Sequence, residues 1–230
     1  MAGIDSFTKL MLHNDDTGLS DSSLSPKTVT LNGNVARSNT QSKFGGFSAF
    51  FDGTGDYLSL ADSGDWDVTD FTLDFWVFFP TLVDVDAYLF GQMDHSMASG
   101  GGIALLTNLV VGQYLQLDIQ NSNPPVISAA SGISADTWAH IAAVRSGSAC
   151  NLFVNGNSIG TGTNGDATSS TNTLLIGLQP GTGGKDLNGY IDELRFSKGI
   201  ARWTANFTPP TSAYTTDAKF SSKMMMMGIS

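Results

Sequence analysis

The run FTLDFWVFF at 71–79 constrains the fold more than any other stretch. Alternate residues of a strand point to opposite sides. Phe71, Leu73, Phe75, Val77 and Phe79 therefore share one face, and Thr72, Asp74, Trp76 and Phe78 share the other. From residue 75 onward both faces are apolar. A strand of that kind is central, with protein packed over each side. Pro80 ends it, because proline has no N–H to give to a ladder.

The same two-residue period recurs along the chain. It predicts strands over 7–13, 28–31, 47–52, 57–60, 88–91, 103–107, 114–119, 126–129, 138–145, 150–154, 174–177 and 190–196. Asn155-Gly156, between two apolar runs, is a type I′ hairpin signal. No amphipathic helix is evident. The chain holds 26 glycines and only 14% charged residues, which suits short strands joined by tight turns. About a dozen strands at this spacing make a sandwich or a barrel. The expected organisation is one domain over 1–214 and a tail over 215–230.

The longest continuous signal is LNGYIDELRFSKGIARWTANF at 187–207. Strict alternation puts Tyr190, Asp192, Leu194 and Phe196 on one face and Ile191, Glu193 and Arg195 on the other. Asp192 is thereby expected to point towards the core. A carboxylate there must be paired, hydrogen-bonded or bound to a metal. Trp203, Phe207 and Pro209-Pro210 then turn the chain and end its regular structure.

Four pieces, in order, resemble the laminin-G-like jelly rolls of the concanavalin A-like lectin/glucanase superfamily. They are FDGTGDYLSL, DFTLDFWVFF, TWAHIAAVR with LFVNGNSIG, and YIDELRFSKGIARW. The resemblance implies an all-β, two-sheet antiparallel jelly-roll sandwich. The opening TKLMLHNDD and the later QSKFGGFSAFFDG look most like versions in tailed-phage virion proteins. That likeness implies a structural or adhesive virion component, a head decoration or a tail or fibre part, made in the host cytoplasm.

Charge and composition narrow the partners. A net charge of −10 and a pI near 4.4 argue against nucleic acid. Of the 21 acidic residues only Glu193 is a glutamate; the rest are aspartates, which favour turns and loops. Cys150 is the only cysteine, so no intrachain disulfide is possible, and it reads as a small buried hydrophobe. The N-terminus lacks the basic start and apolar run of a signal peptide. No stretch reads as a membrane span. The tail KMMMMGIS puts four methionines beside polar residues, which points to a contact surface or a flexible end. Assembly as a homo-oligomer is expected, with a trimer the first arrangement to test.

Three chemistries merit weighing. A retaining glycosidase needs two carboxyl groups about 5 Å apart. The related enzymes place them as glutamates on one strand, whereas here Glu193 stands alone and Val83-Asp84-Val85-Asp86 reads as a loop. The chain has no G-x-S-x-G, and His13, His95 and His140 are scattered. No enzymatic activity is expected. Calcium wants six to eight oxygens. By the resemblance, many relatives hold calcium with an Asp on the last strand, here Asp192. Those of the pentraxin kind use an Asp in the early strand pair, here Asp56, although the loop LQPGTGGKD has no acidic residue before Asp186 to complete a pentraxin-like double site. The alternative for Asp52, Asp56 and Asp192 is backbone hydrogen bonding. The resemblance also implies sugar binding, with a cell-surface glycan as partner. That needs an aromatic platform flanked by Asp, Asn or Arg, with Trp66, Trp203, Tyr88 and Tyr114 as candidates, the alternative being that these aromatics are core.

Overall fold

The structure is a computed structural model, and it describes residues 3–15, 18–82, 86–92, 101–108, 113–120, 122, 124–178 and 186–215. The methionine run of the tail, most of the 93–102 loop, residues 83–85 and most of the loop at 178–186 lie outside the described residues. Fifteen strands and no helix are present among the described residues. They are β1 (Thr8–Leu12), β2 (Thr30–Asn32), β3 (Ala36–Ser38), β4 (Ser48–Asp52), β5 (Tyr57–Leu60), β6 (Phe71–Phe78), β7 (Asp86–Gly91), β8 (Ile103–Asn108), β9 (Tyr114–Ile119), β10 (Ile127–Ala130), β11 (Trp138–Ser146), β12 (Ala149–Val154), β13 (Asn157–Thr163), β14 (Leu174–Ile176) and β15 (Asn188–Lys198).

They form two antiparallel sheets. The first runs β13-β12-β11-β6-β15-β4-β3, with β1 also paired to β15; the second runs β10-β9-β8-β7-β14-β5-β2. As expected, β6 is central and buried along its whole length. Its odd-numbered residues face the second sheet in one core. That core includes Phe51, Phe71, Leu73, Phe75, Val77 and Phe79 from the first sheet and Leu89, Leu105, Leu117 and Ile176 from the second. Each such side chain contributes roughly 1.5–3 kcal/mol of hydrophobic stabilisation.

β15 has two partners along one edge. Residues Asn188–Ile191 pair with β4, and Leu194–Ser197 pair with β1. Between the two partners the register against β6 shifts from Asp192 opposite Trp76 to Arg195 opposite Asp74. Glu193 takes φ +51 at this bulge. The extra residue corrects the simple alternation. Ile191, Leu194 and Phe196 enter the core, while Tyr190 and Asp192, opposite Phe78 and Trp76, lie on the outer face. Asp192 is fully buried, but not in the core between the sheets.

The chain then returns across that outer face. Thr72 donates its hydroxyl to the Ile200 carbonyl and accepts from the Arg202 amide, both at 2.9 Å. Trp203 and Phe207 stack at 4.0 Å and pack on Ala142, Val144 and Phe153. The Asn155-Gly156 turn forms as expected, with both residues at positive φ. Only glycine fits its second position, because a Cβ there would meet the Phe207 carbonyl oxygen at 1.9 Å. Further on, the Tyr214 amide donates to Glu193 and the Ile4 amide to the Thr215 carbonyl, so residues 4 and 214–215 close over the same half of the sheet.

Beneath this strap lies a buried polar network. The guanidinium of Arg195 donates through Nε to Asp74 Oδ1 at 3.0 Å and through Nη2 to Oδ2 at 3.3 Å. Tyr214 donates its hydroxyl to Asp74 Oδ2 at 2.5 Å, and Arg195 lies 3.7 Å over the Tyr214 ring. His140 Nε2 is 3.6 Å from the same carboxylate.

Candidate functional site

The strap leaves the other half of the outer face to aromatic residues. Because the face repeats every second residue, register decides which side chains meet. Trp138 of β11 lies opposite Phe78 of β6, Phe78 opposite Tyr190 of β15, and Tyr190 opposite Phe50 of β4. The result is one row of four rings across four strands. Neighbouring centroids are 5.6, 5.8 and 4.9 Å apart. Trp138 and Phe50 at the two ends are partly exposed, and the two middle rings are nearly covered.

Polar groups stand beside this row. Asp52 pairs with Asn188 two residues beyond Phe50 and Tyr190, so both belong to the same face. Asp52 accepts from the Thr54 amide and from Asn34 Nδ2, each at 2.8 Å. Asn188 is exposed.

On the opposite side of the row Trp76 lies level with His140 and Asp192. Its ring meets the edges of Phe44 at 6.1 Å and His140 at 5.1 Å. The Lys43 ammonium sits 3.8 Å over it. The loop that carries Lys43 and Phe44 is pinned by Asp192, whose Oδ2 accepts both their amides at 2.8 and 3.1 Å. Asp192 Oδ1 accepts from the Glu193 amide at 2.9 Å. Burial pushes the Asp192 carboxyl up to about 7, with the three amides opposing and Glu193 adding to the rise. Burial likewise pulls Lys43 below the usual lysine range, with Asp192 opposing.

The expected metal residues have structural partners. Asp56 is fully buried and accepts from the Asn34 amide at 2.6 Å and the Asp52 amide at 3.0 Å. Asp52, at the head of the Asp56 turn, sits opposite Asn188. That is four residues from Asp192 along β15, about 13 Å at ~3.3 Å per residue. Asp56 and Asp192 therefore do not come together, and both are engaged by backbone amides. Among the described residues no group of three or more His, Cys, Asp or Glu is placed to hold a metal. This donor set does not fit a calcium ion shared by the two.

Replacing Asp192 by alanine is expected to cost about 1–3 kcal/mol, because buried amide donors lose their acceptor. A raised carboxyl also fixes the pH dependence. The unfolded carboxyl releases its proton near 3.9, while the folded one holds it to about 7. Between those values the native state binds more protons, so this group's contribution falls as pH rises. Melting curves of the parent and of Asp192→Ala across that window check both points. Equal stability of the two would contradict the assignment, and a chelator-induced fall in the parent alone would put a metal at Asp192.

The other candidates divide. Trp66 is core, its indole donating to the Ala61 carbonyl. Tyr88 is fully buried on the outer face of the second sheet, in a small cluster with Ala104 and Leu106. Trp203 belongs to the strap. Tyr114 is 40% exposed, and Trp203 is partly exposed. Glu193 is 1% exposed and committed, with Oε1 2.7 Å from His13 Nδ1 and Oε2 on the Tyr214 amide. His95 lies outside the described residues. The residues of the row itself carried one sequence signal, the apolar second face of the 71–79 strand.

A family model described as concanavalin A-like lectin/glucanases superfamily matches residues 52–202, more than half of the chain. A search of curated proteins finds none that matches. Among solved structures, domain 4 of AbnA, a GH43 extracellular arabinanase from Geobacillus stearothermophilus, in complex with arabinotriose, aligns at TM-score 0.65 and 23% identity. That alignment covers 84% of this chain and 93% of that one. The botulinum neurotoxin serotype D binding domain aligns at TM-score 0.61 and 14% identity, over 84% of this chain and 49% of its own. The binding domain of botulinum neurotoxin DC in complex with SialylT gives 0.60 and 14%, over 84% and 48%. The chain thus spans about half the length of the toxin domains. These likenesses concern the fold.

Proposed function

Because the chain belongs to the concanavalin A-like lectin/glucanase superfamily, we propose that it is a non-enzymatic carbohydrate-binding module, with the outer-face aromatic row as its binding surface. The observation that carries this reading is the register Trp138–Phe78–Tyr190–Phe50 with Asp52 and Asn188 beside it. Sugar rings present C–H faces that pack on aromatic rings and hydroxyls that bond to carboxylates and amides. Strands lie about 4.8 Å apart, comparable to one sugar unit, so an extended oligosaccharide crossing the strands runs along the row and meets its two partly exposed rings, Trp138 and Phe50, at the ends. The arabinanase domain bound to arabinotriose and the toxin domain bound to SialylT support the class of ligand.

The non-enzymatic part of the reading is supported by Glu193, whose two oxygens are engaged by His13 and the Tyr214 amide. Immobilised oligosaccharides should retain the protein, and prolonged incubation should release no new reducing ends. Failure to bind any glycan on a broad array would end this reading. Turnover abolished by Glu193→Gln in a folded protein would end its non-enzymatic part.

A second reading places the module on a phage virion as an oligomeric decoration or fibre component. Its support is the wording of TKLMLHNDD and QSKFGGFSAFFDG, and the fold joins those two stretches. Asp15 accepts from the Phe47 backbone, and the neighbouring residues Asp192 and Glu193 of β15 hold the 43–44 loop and His13. Mass spectrometry of purified particles, with light scattering of the free chain, tests it. Particles lacking the chain would end it.

A further inference from the structure

We propose that Lys43 and Trp76 form an anion subsite beside the aromatic row, one that takes the carboxylate of an acidic sugar. The proposal rests on the glycan reading above and adds the class of glycan.

Two donors meet here without an acceptor. Trp76 is 6% exposed, yet its indole N–H makes no hydrogen bond among the described residues. Buried polar groups are rarely left this way. The Lys43 ammonium, 3.8 Å over the same ring, has three protons to give. No hydrogen bond or ion pair of that ammonium is found among the described residues.

The nearest acid does not serve them. Asp192 spends its oxygens on the amides of Lys43, Phe44 and Glu193. Those same bonds fix the loop that presents Lys43, so the carboxylate positions the cation rather than capturing it. Phe44 and His140 hold the indole edge-on from two sides.

The chemistry of the missing partner follows. A single sugar hydroxyl would answer the indole N–H but leave the ammonium with water. A carboxylate has two oxygens and a charge, so it pairs with the ammonium by charge-assisted bonds, about twice as strong as neutral ones, beside an indole N–H that is enclosed and unpaired among the described residues. Trp76 lies two residues from Phe78 on the same face. A uronic or sialic acid ring stacked on Trp138, the partly exposed ring opposite Phe78, would turn its carboxylate towards this pair.

Calorimetry on the full chain tests the proposal with three probes: trigalacturonate, its methyl ester and arabinotriose. Trigalacturonate should bind at least tenfold more tightly than its ester, and the ratio should fall at high salt. Lys43→Gln and Trp76→Phe, each with an unchanged melting temperature, should bring the ratio of acid to ester towards one. Trp138→Ala should weaken acid and ester alike. Equal binding of acid and ester by the parent would overturn the subsite and leave the glycan reading standing. A ratio unmoved by either substitution would also overturn it. No binding of any probe, with no hit on a broad array, would remove both.

Discussion

Replacing Asp74 by alanine is expected to cost about 3–5 kcal/mol of folding stability. Asp74 and Arg195 are both fully buried beneath the strap. Moving two charges out of water is costly, and their attraction repays that only when geometry and hydrogen bonding are good. Here the pairing uses two guanidinium nitrogens, and Tyr214 adds a third donor. Removing the carboxylate leaves the guanidinium buried without its partner anion and frees the Tyr214 hydroxyl that anchors the strap. Urea unfolding of the variant checks this; a loss below about 1 kcal/mol would contradict it. The pair also sets a pH dependence opposite to that of Asp192. Burial pushes the Asp74 carboxyl up, but Arg195, with His140 and Tyr214, outweighs it and holds the carboxyl below its usual value. Its contribution is present above the unfolded value and is lost as pH falls through the folded one.

The sheet framework was legible because strands announce themselves by alternation. β6, with two apolar faces, could only be central, and Asn155-Gly156 marked its turn directly. β13 was not legible: NSIGTGT is a largely exposed edge, so no apolar period marks it. β3 is three residues with no buried member. The side taken by Asp192 was misread for a different reason. A bulge at Glu193 inserts one residue, and glutamate at positive φ leaves no sign in sequence. Placing Asp56 in the early strand pair was straightforward, but its partners, the amides of Asn34 and Asp52, depend on how the turns fold together. The aromatic row was hidden by distance along the chain. Phe50, Phe78, Trp138 and Tyr190 each sit outward on their own strand, but only pairing between strands far apart in sequence brings them into line.

Trp138→Ala is expected to lower glycan affinity at least tenfold, about 1.4 kcal/mol, with little change in folding stability. Trp138 stands at the end of the row, partly exposed, and the core cluster does not include it. Tyr190→Ala should weaken binding as strongly, but at a cost in stability, because Tyr190 is 8% exposed and touches both Phe50 and Phe78. Titration of both variants against the best array glycan checks the order. Undiminished affinity in Trp138→Ala would remove the row from the binding surface.

The four tryptophans offer the most direct measurement. Trp66 lies in the core, Trp203 in the strap, Trp138 in the row and Trp76 beside it. Their four indole N–H signals can be followed by NMR as a bound glycan is titrated in. The Trp138 and Trp76 signals are expected to shift along the binding curve while those of Trp66 and Trp203 stay in place. Saturable binding that leaves Trp138 and Trp76 unmoved would contradict the proposed binding surface.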